Sequence, residues 1–352
     1  MQTRSAFALA AAAILSVAIA AAVSVKGAGP ALDPLVGKPV LPKLAEHPDA
    51  VAKIAIKRGA IAFSLVKSGN QWTMPEKSGY RADPAKVRQL LLGLVQTRYV
   101  EPKTNRPELY ARLNLDDPAK DKSQATLVEV FDDKGASLGT AILGKRRIDE
   151  LGGGSDGIYV RLPNEARSWL ARGTLDLDGE AVQWLDRRIV DLDDKRMKLV
   201  VLRHADGTQL TIFRDKPEDK LSLKELPPDR KLKSDVTLVE PASVLQALDL
   251  TDVKSAREIA VPADGIDSAA FTNFDGLTVK VELFKQGEQD WIRLTASAEG
   301  DDKVKADAQA LTQRWEGWVY GIASYKAGAL RSKLADLLAP AEQPAAKPAG
   351  SK

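Results

Sequence analysis

The chain has 352 residues, of which 44% are apolar and 28% charged, a composition typical of globular proteins and long enough for more than one core. Its 51 basic and 48 acidic residues leave a net charge of +3, so we expect no nucleic-acid partner. The absence of cysteine excludes disulfides, thiolate catalysis and cysteine-based metal sites.

Residues 1–26 contain an apolar segment that indicates export of the rest of the chain. The run from Ala6 to Val25 is interrupted only by two serines and follows Arg4. A helix of about 20 apolar residues spans the roughly 30 Å core of a bilayer, and a positive residue before it keeps that end inside. We expect a single-pass anchor in the inner membrane with the bulk of the chain in the periplasm. The alternative is a signal peptide, cleaved after an Ala-x-Ala pattern between Ala18 and Ala22, with secretion to the periplasm.

Two further segments flank the predicted folded body. Residues 27–50 contain five prolines and predict an extended tether. Residues 339–352 are rich in alanine, proline and lysine and predict a disordered tail.

The stretch from residue 51 to residue 100 predicts a small meander covered by a helix. Alternating apolar runs at 54–57 and 61–67 precede a Gly69-Asn70 turn and a third strand around Trp72. Asp83-Pro84 is a helix start, because the Asp side chain caps free N–H groups and proline fits the first turn. The apolar residues that follow recur at helical spacing. The remaining elements predicted before residue 195 are strands at 125–131, 137–143 and 158–162, one helical turn at 108–113, and helices at 164–170 and 180–189.

The order of elements then repeats. Hairpins are predicted at 197–203 with 209–214 and at 278–285 with 290–296, a short strand at 220–224, and a helix that begins at Pro241. A match between 162–170 and 322–330 places a helix over 303–316, a strand over 317–322 and a helix through 338. The predicted fold class is therefore α+β, with two tandem, similar halves of antiparallel strands (meander and hairpins) covered by amphipathic helices. The halves are residues 51–195 and 196–338.

The sequence offers no catalytic, cofactor-binding or metal-binding residues. Only two histidines occur: His47 lies in the predicted tether, and His204 lies at a predicted hairpin turn, where we expect it to be solvated. The GGGSDG loop at 152–157 lacks the spacing of phosphate-binding loops. The acidic stretches at 176–180 and 191–195 lack the alternation of calcium loops and predict helix capping and a solvated turn.

Six tryptophans offer an alternative to a purely structural interpretation. Most tryptophans anchor cores, but Trp169, Trp315 and Trp318 are candidates for a sugar-binding platform, and the last two are expected to be partly exposed. A pair of carboxylates distant in sequence, as in glycoside hydrolysis, is a further alternative.

Several stretches resemble one bacterial family, the domain of unknown function 4340. They are VAKIAIKR at 51–58, QWTMPEKSGYRADPAKVRQLLLGLVQTRYVE at 71–101, Y-x-x-L-x-L-D-D-P at 110–118, GIYVRL at 157–162 and WVYGIASYKAGALRSKLADLL at 318–338. Members look like membrane-tethered periplasmic proteins, many encoded beside permease and substrate-binding-like components of an ABC-type export system related to gliding-motility transporters. The resemblance implies an accessory role by association and supplies no catalytic residues.

The expected function is that of a non-enzymatic, membrane-tethered periplasmic module. It would serve as an accessory or interaction component of an ABC-type transport or cell-envelope system, with an ABC-type permease or another envelope protein as partner. The alternatives are an envelope hydrolase with dispersed carboxylates and a glycan-binding module.

Overall fold

A computed structural model describes residues 33–148, 156–177, 179–234 and 236–340. The predicted segment 1–26, most of the glycine-rich loop and residues 341–352 of the predicted tail lie outside these ranges. Among the described residues, no helix is long and apolar enough to cross a membrane. The fold is α+β with antiparallel sheets, as the sequence predicts.

The helices and strands have the following bounds. The first strands are β1 (Val51–Arg58), β2 (Ile61–Ser68), β3 (Gln71–Met74), β4 (Tyr80–Arg81), β5 (Arg98–Pro102), β6 (Thr126–Asp132), β7 (Ser137–Arg147), β8 (Gly157–Arg161) and β9 (Ser168–Arg172). The later strands are β10 (Arg188–Val190), β11 (Met197–Arg203), β12 (Gln209–Phe213), β13 (Ser222–Leu223), β14 (Leu248–Asp249), β15 (Asp252–Ser255), β16 (Asp267–Asn273), β17 (Leu277–Gln286), β18 (Gln289–Ala298) and β19 (Trp318–Ile322). The helices are α1 (Pro42–Glu46), α2 (Pro84–Gln96), α3 (Val239–Ala242), α4 (Asp302–Trp315), α5 (Ser324–Leu330) and α6 (Leu334–Leu337).

The chain divides into two compact units. Of the described residues, unit 1 contains 33–51, 56–60, 89–148 and 156–177, and unit 2 contains 52–55, 61–88, 179–234 and 236–340. These units do not coincide with the predicted halves, because residues 61–88 group with the C-terminal part of the chain.

Unit 1 contains antiparallel strands in the order β6-β7-β8-β9-β5. The β6–β7 hairpin closes where the sequence predicts it. Asp132 Oδ1 accepts hydrogen bonds from the backbone N–H groups of Lys134 (2.9 Å) and Ala136 (2.7 Å), and Gly135 takes a left-handed φ of 79°. A core of Tyr110, Leu115, Ala125, Ile142, Tyr159 and Leu170 lies in this unit.

The predicted extended tether is wrong for residues 33–50. Val40 donates its backbone N–H to the Thr97 carbonyl at 3.0 Å, and Pro42 begins α1, in which Leu44 is buried. Leu41 is buried against Gly139 of β7. Proline occurs in the first turn of helices as well as in extended chain, so the proline content does not distinguish the two conformations. Here the burial of Leu41 and Leu44 favours the short helix.

Two helices predicted in the first half are also wrong. The segment around Trp169 and Leu170 is strand β9, which lies between β8 and β5 and is buried on both faces. A short apolar run of this kind has no periodicity that separates strand from helix. Around residue 180 the chain forms a short 3₁₀ helix, Ala181–Trp184, followed by β10.

Unit 2 is built on antiparallel strands in the order β13-β12-β11-β16-β17-β18-β19-β15. It also holds the β10–β14 pair and the meander β4-β3-β2. Helix α4 packs on β18, where the Thr312 hydroxyl donates to the Ala296 carbonyl at 3.0 Å, and Asp301 caps the helix through Val304 N–H. This confirms the predicted helix over 303–316 and the strand after it.

The later helices are shorter than predicted. The helix expected from Pro241 is only α3, which ends before Val244 and Leu245, and those two side chains are buried within a turn. The helix expected through residue 338 is divided into α5 and α6. Because α5 is helical where β9 is a strand, the predicted match of 162–170 with 322–330 does not hold at the level of secondary structure.

Substitution of Gly276 by alanine should destabilise unit 2 much more than the same change at Gly287. Both residues have positive φ, but a Cβ at Gly276 would overlap the Glu299 carbonyl oxygen, whereas nothing lies within 4 Å of a Cβ at Gly287. We expect Gly287→Ala to lower the free energy of unfolding by about 1 kcal/mol and Gly276→Ala by about 3 kcal/mol or more. Urea unfolding of both variants measures this difference, and equal losses would contradict it.

The stability of the protein should fall above pH 10, in part through Tyr99. Burial, and after it the charge of Glu165, raises the pKa of Tyr99 to about 12. The unfolded chain loses this proton near pH 10, so the contribution of Tyr99 is complete below pH 10 and is lost as the pH rises to 12. Tyr99→Phe should remove about 2 kcal/mol of that decline, measured by urea unfolding at pH 9 to 12. Tyr325→Phe, at a side chain that is 66% exposed, is the control and should leave the decline unchanged.

Candidate functional site

A groove in unit 2, with a volume of about 580 Å³, is the strongest candidate for a functional site. We call it the tryptophan–arginine groove. It is lined by Asn70, Gln71, Trp72, Arg81, Ala82, Pro84, Asp186, Ala310, Gln313, Arg314 and Trp318.

Strand pairing and turns place the groove residues. Trp72 on β3 pairs with Lys67 on β2, and Arg81 on β4 pairs with Thr73. Gly317, with a φ of 79°, turns the chain from the end of α4 into β19. This turn brings Arg314, near the end of the helix, and Trp318, the first residue of the strand, to the same groove. The groove therefore collects residues from a meander, a helix end and a strand start.

A carboxylate shared by two guanidinium groups forms the charged wall. Asp186 Oδ2 accepts hydrogen bonds from Arg81 Nε at 2.7 Å and from Arg314 Nη2 at 2.9 Å. Arg81 Nη1 donates to the Arg314 carbonyl at 3.2 Å, and Arg314 Nη2 also donates to the Arg188 carbonyl at 2.7 Å. With two cations and one anion, this wall carries a net charge of +1.

An aromatic layer supports this wall. The Trp318 ring meets the Tyr80 ring edge to face at 4.9 Å, and the Arg81 guanidinium lies 4.7 Å from the centre of the Tyr80 ring. Burial, followed by the proximity of Tyr320, raises the pKa of Tyr80 far above its ordinary value, and burial likewise raises the pKa of Tyr320. Both phenols are therefore neutral at physiological pH.

Arg81 keeps its charge in this setting. Burial lowers its pKa, but Tyr80 and the hydrogen bond to Asp186 outweigh burial, so the net shift of the pKa is upward. Arg81 Nη2 is buried without a hydrogen-bond acceptor in the described part of the chain. The guanidinium is thus a fixed cation within a largely apolar layer.

The two histidines lie outside the groove. His47 is exposed in unit 1. His204, expected to be solvated, is 7% exposed in unit 2, and its Nε2 lies 3.1 Å from the Ser332 carbonyl and its Nδ1 3.8 Å from Asp267 Oδ1. That expectation is wrong, because a distant part of the chain covers the end of the hairpin.

Among the three candidate tryptophans, the structure places only Trp318 at a cleft. Trp169 and Trp315 are buried, and Trp315 Nε1 donates to the Ile189 carbonyl at 3.0 Å, so the expected partial exposure of Trp315 is wrong. Trp318 is half-buried, as expected. Trp72 is also half-buried, and the sequence interpretation missed its role in the groove. No local signal connects it with Trp318, 246 positions away along the printed sequence.

The acidic stretch at 191–195 has structural roles. Asp193 Oδ1 caps a short 3₁₀ helix by accepting from Lys195 N–H at 3.0 Å, and Asp191 accepts from Ala247 N–H at 2.8 Å. In the described ranges, no group of three or more His, Cys, Asp or Glu side chains is placed to hold a metal ion.

Two other clefts are less suited to a specific ligand. A cleft of about 520 Å³ in unit 1 is lined by a single stretch of chain, residues 103–113. One of about 360 Å³ in unit 2 contains Arg196, which pairs with Asp275, and Asp301, which caps α4. The tryptophan–arginine groove alone among the three combines half-exposed rings with a fixed charge.

The chain matches the family described as "Domain of unknown function (DUF4340)" over residues 72–264. This range is more than half of the chain, so the protein belongs to that family. The matched range includes Trp72, Arg81 and Asp186 and ends before α4 and Trp318. No curated protein and no solved structure matches the chain.

Asp186→Asn should destabilise unit 2, because it leaves Arg81 and Arg314 without their shared counter-charge in a partly buried site. We expect the free energy of unfolding to fall by about 2 kcal/mol. Asp302→Asn, which weakens an exposed pair with Lys305, is the control and should change it by less than about 0.5 kcal/mol. Chemical denaturation of both variants tests the prediction, which fails if they behave alike.

Proposed function

We propose that this protein is a non-enzymatic, membrane-tethered module of the periplasm, an accessory or interaction component of an ABC-type transport or other cell-envelope system. The apolar run from Ala6 to Val25 behind Arg4 supports the tether and the orientation. The family resemblance, with transporter components encoded beside many members, supports the choice of partner.

The tryptophan–arginine groove carries the proposal of a binding role. Pockets that recognise small molecules combine apolar and aromatic walls with a few fixed polar groups, and this groove has that composition. Its carboxylate, Asp186, is engaged by two guanidinium groups through one oxygen. A carboxylate in that environment positions cations and is poorly placed to exchange protons with a substrate. Binding is therefore favoured over hydrolysis at this site.

We also propose that the two halves, 51–195 and 196–338, arose by duplication. The strand order β6-β7-β8-β9-β5 in unit 1 parallels the order β16-β17-β18-β19-β15 in unit 2. On this correspondence, α4 occupies the connection between β18 and β19, where unit 1 has only residues 162–167 between β8 and β9. The helix thus takes the place of that short connection.

On this correspondence, the second half has a helix that the first half lacks. Ala310, Gln313 and Arg314 of the groove all belong to α4. The second half therefore carries an addition that builds the groove. Glycan binding is the second candidate function, because the half-buried Trp318 lies at the groove. Trp72 would be the second stacking residue, the role for which the sequence offers Trp169 and Trp315.

Co-purification from membranes tests the transport role. The full-length protein in mild detergent should recover ABC-type permease subunits, identified by mass spectrometry, and a version that starts at Gly27 should not, because residues 1–26 supply the proposed membrane contact. An unrelated single-pass anchor fused to residues 27–352 is the control for the anchor sequence. If neither form recovers permease subunits and the intact protein is found in the soluble periplasmic fraction, the anchor and the transporter partnership are both wrong.

A further inference from the structure

We propose that the tryptophan–arginine groove binds a saccharide that carries one acidic group, with its ring against Trp72 and Trp318 and its acidic group at Arg314. The inference rests on the proposed binding function and names its class of ligand.

The two indoles supply the surface for the ring. The other four tryptophans, Trp169, Trp184, Trp291 and Trp315, are all 3% exposed or less, whereas Trp72 and Trp318 remain half-buried at the groove. The C–H groups of a pyranose carry partial positive charge and pack on the electron-rich face of an indole. Because Tyr80 holds Trp318 edge to face, little side-chain freedom of that ring is left to lose on binding.

The net positive charge of the groove favours a ligand with one negative group. Arg81 and Arg314 are balanced by Asp186 alone among the lining residues. Arg314 makes all its hydrogen bonds through Nη2, so its Nε and Nη1 have no partner within the described part of the chain, and its side chain is 39% exposed. These groups can donate charge-assisted hydrogen bonds to a carboxylate. Arg81, by contrast, is directed inward and fixes Asp186.

The remaining polar groups suit hydroxyls. The amide side chains of Asn70, Gln71 and Gln313 are exposed at the groove, and each amide both donates and accepts hydrogen bonds, as sugar hydroxyls do. The volume of about 580 Å³ lies within the range of small-molecule sites. The rings, the amides and the unused donor groups of Arg314 together favour an acidic sugar over an inorganic anion, which would leave the indoles unused.

The test compares two disaccharides that differ in a single acidic group. The full-length protein in mild detergent is titrated with N-acetylglucosaminyl-N-acetylmuramic acid and with N,N′-diacetylchitobiose, which has the same two rings and N-acetyl groups but lacks the lactyl ether that carries the carboxylate. Calorimetry should show about tenfold tighter binding of the acidic sugar, a difference of about 1.4 kcal/mol. Tryptophan fluorescence should change on binding, since both half-exposed indoles lie in the groove.

Variants separate the two contacts. Arg314→Gln should abolish the preference for the acidic sugar, and Trp72→Ala should lower the affinity for both sugars by a similar factor. Lys305→Gln removes a charge from the same helix outside the groove, and Tyr325→Ala removes an exposed ring outside it, so both should bind as the wild type does. Thermal melting confirms that each variant is folded. If Arg314→Gln does not fold, Gln313→Ala, a change at an exposed side chain, is measured in its place. It should weaken the binding of both sugars.

Three results would overturn the inference: equal affinity for the two sugars, no binding of either, or equal losses in Arg314→Gln and Lys305→Gln. If permease subunits still co-purify in that case, the proposed transport role stands without this ligand. If the acidic sugar binds but no permease subunit is recovered, the ligand assignment stands and the transport role is wrong.

Discussion

The hydrogen bonds from Arg81 and Arg314 to the same oxygen of Asp186 are the interaction on which the groove depends. They join residues that are 105 and 128 positions apart in sequence. A partly buried carboxylate between two guanidinium groups has a large desolvation cost, which two charge-assisted hydrogen bonds offset. Without this junction, strand β4 and the end of α4 would lose a charged contact between the two walls of the groove.

The aromatic layer next to Arg81 and Asp186 affects the strength of their Coulombic interactions. Tyr80 and Tyr320 are buried and neutral, and they surround Arg81 with groups of low polarity. Coulombic interactions are stronger in such an environment than in water. The guanidinium groups are also held by backbone carbonyls, so they need little rearrangement to meet an anionic ligand. A site that is fixed in advance loses little free energy in ordering its own side chains when a ligand binds.

The likeness of strand order between the two units gives the groove its context. Unit 1 connects β8 to β9 through a short loop, whereas unit 2 inserts α4 between β18 and β19. This helix contributes both the second arginine and one of the amides to the groove. On the proposal that the two halves arose by duplication, an ancestral half without the helix would have offered the strands of the sheet but no groove of this kind.

The sequence by itself determined the local parts of the fold. The Asp83-Pro84 helix start appears as predicted, with Asp83 Oδ1 accepting from Ala85 N–H at 2.8 Å, and so do the hairpins closed by Asp132 and by Gly207. Turn chemistry, capping and apolar periodicity act over a few residues, so one stretch of sequence contains all the information they need. Only the tertiary structure decided that residues 168–172 form a strand, that Leu44 and His204 are buried, and that Trp72 and Trp318 line the same groove. Those outcomes depend on burial against residues far away in the chain, and the local pattern is the same whether or not that burial occurs.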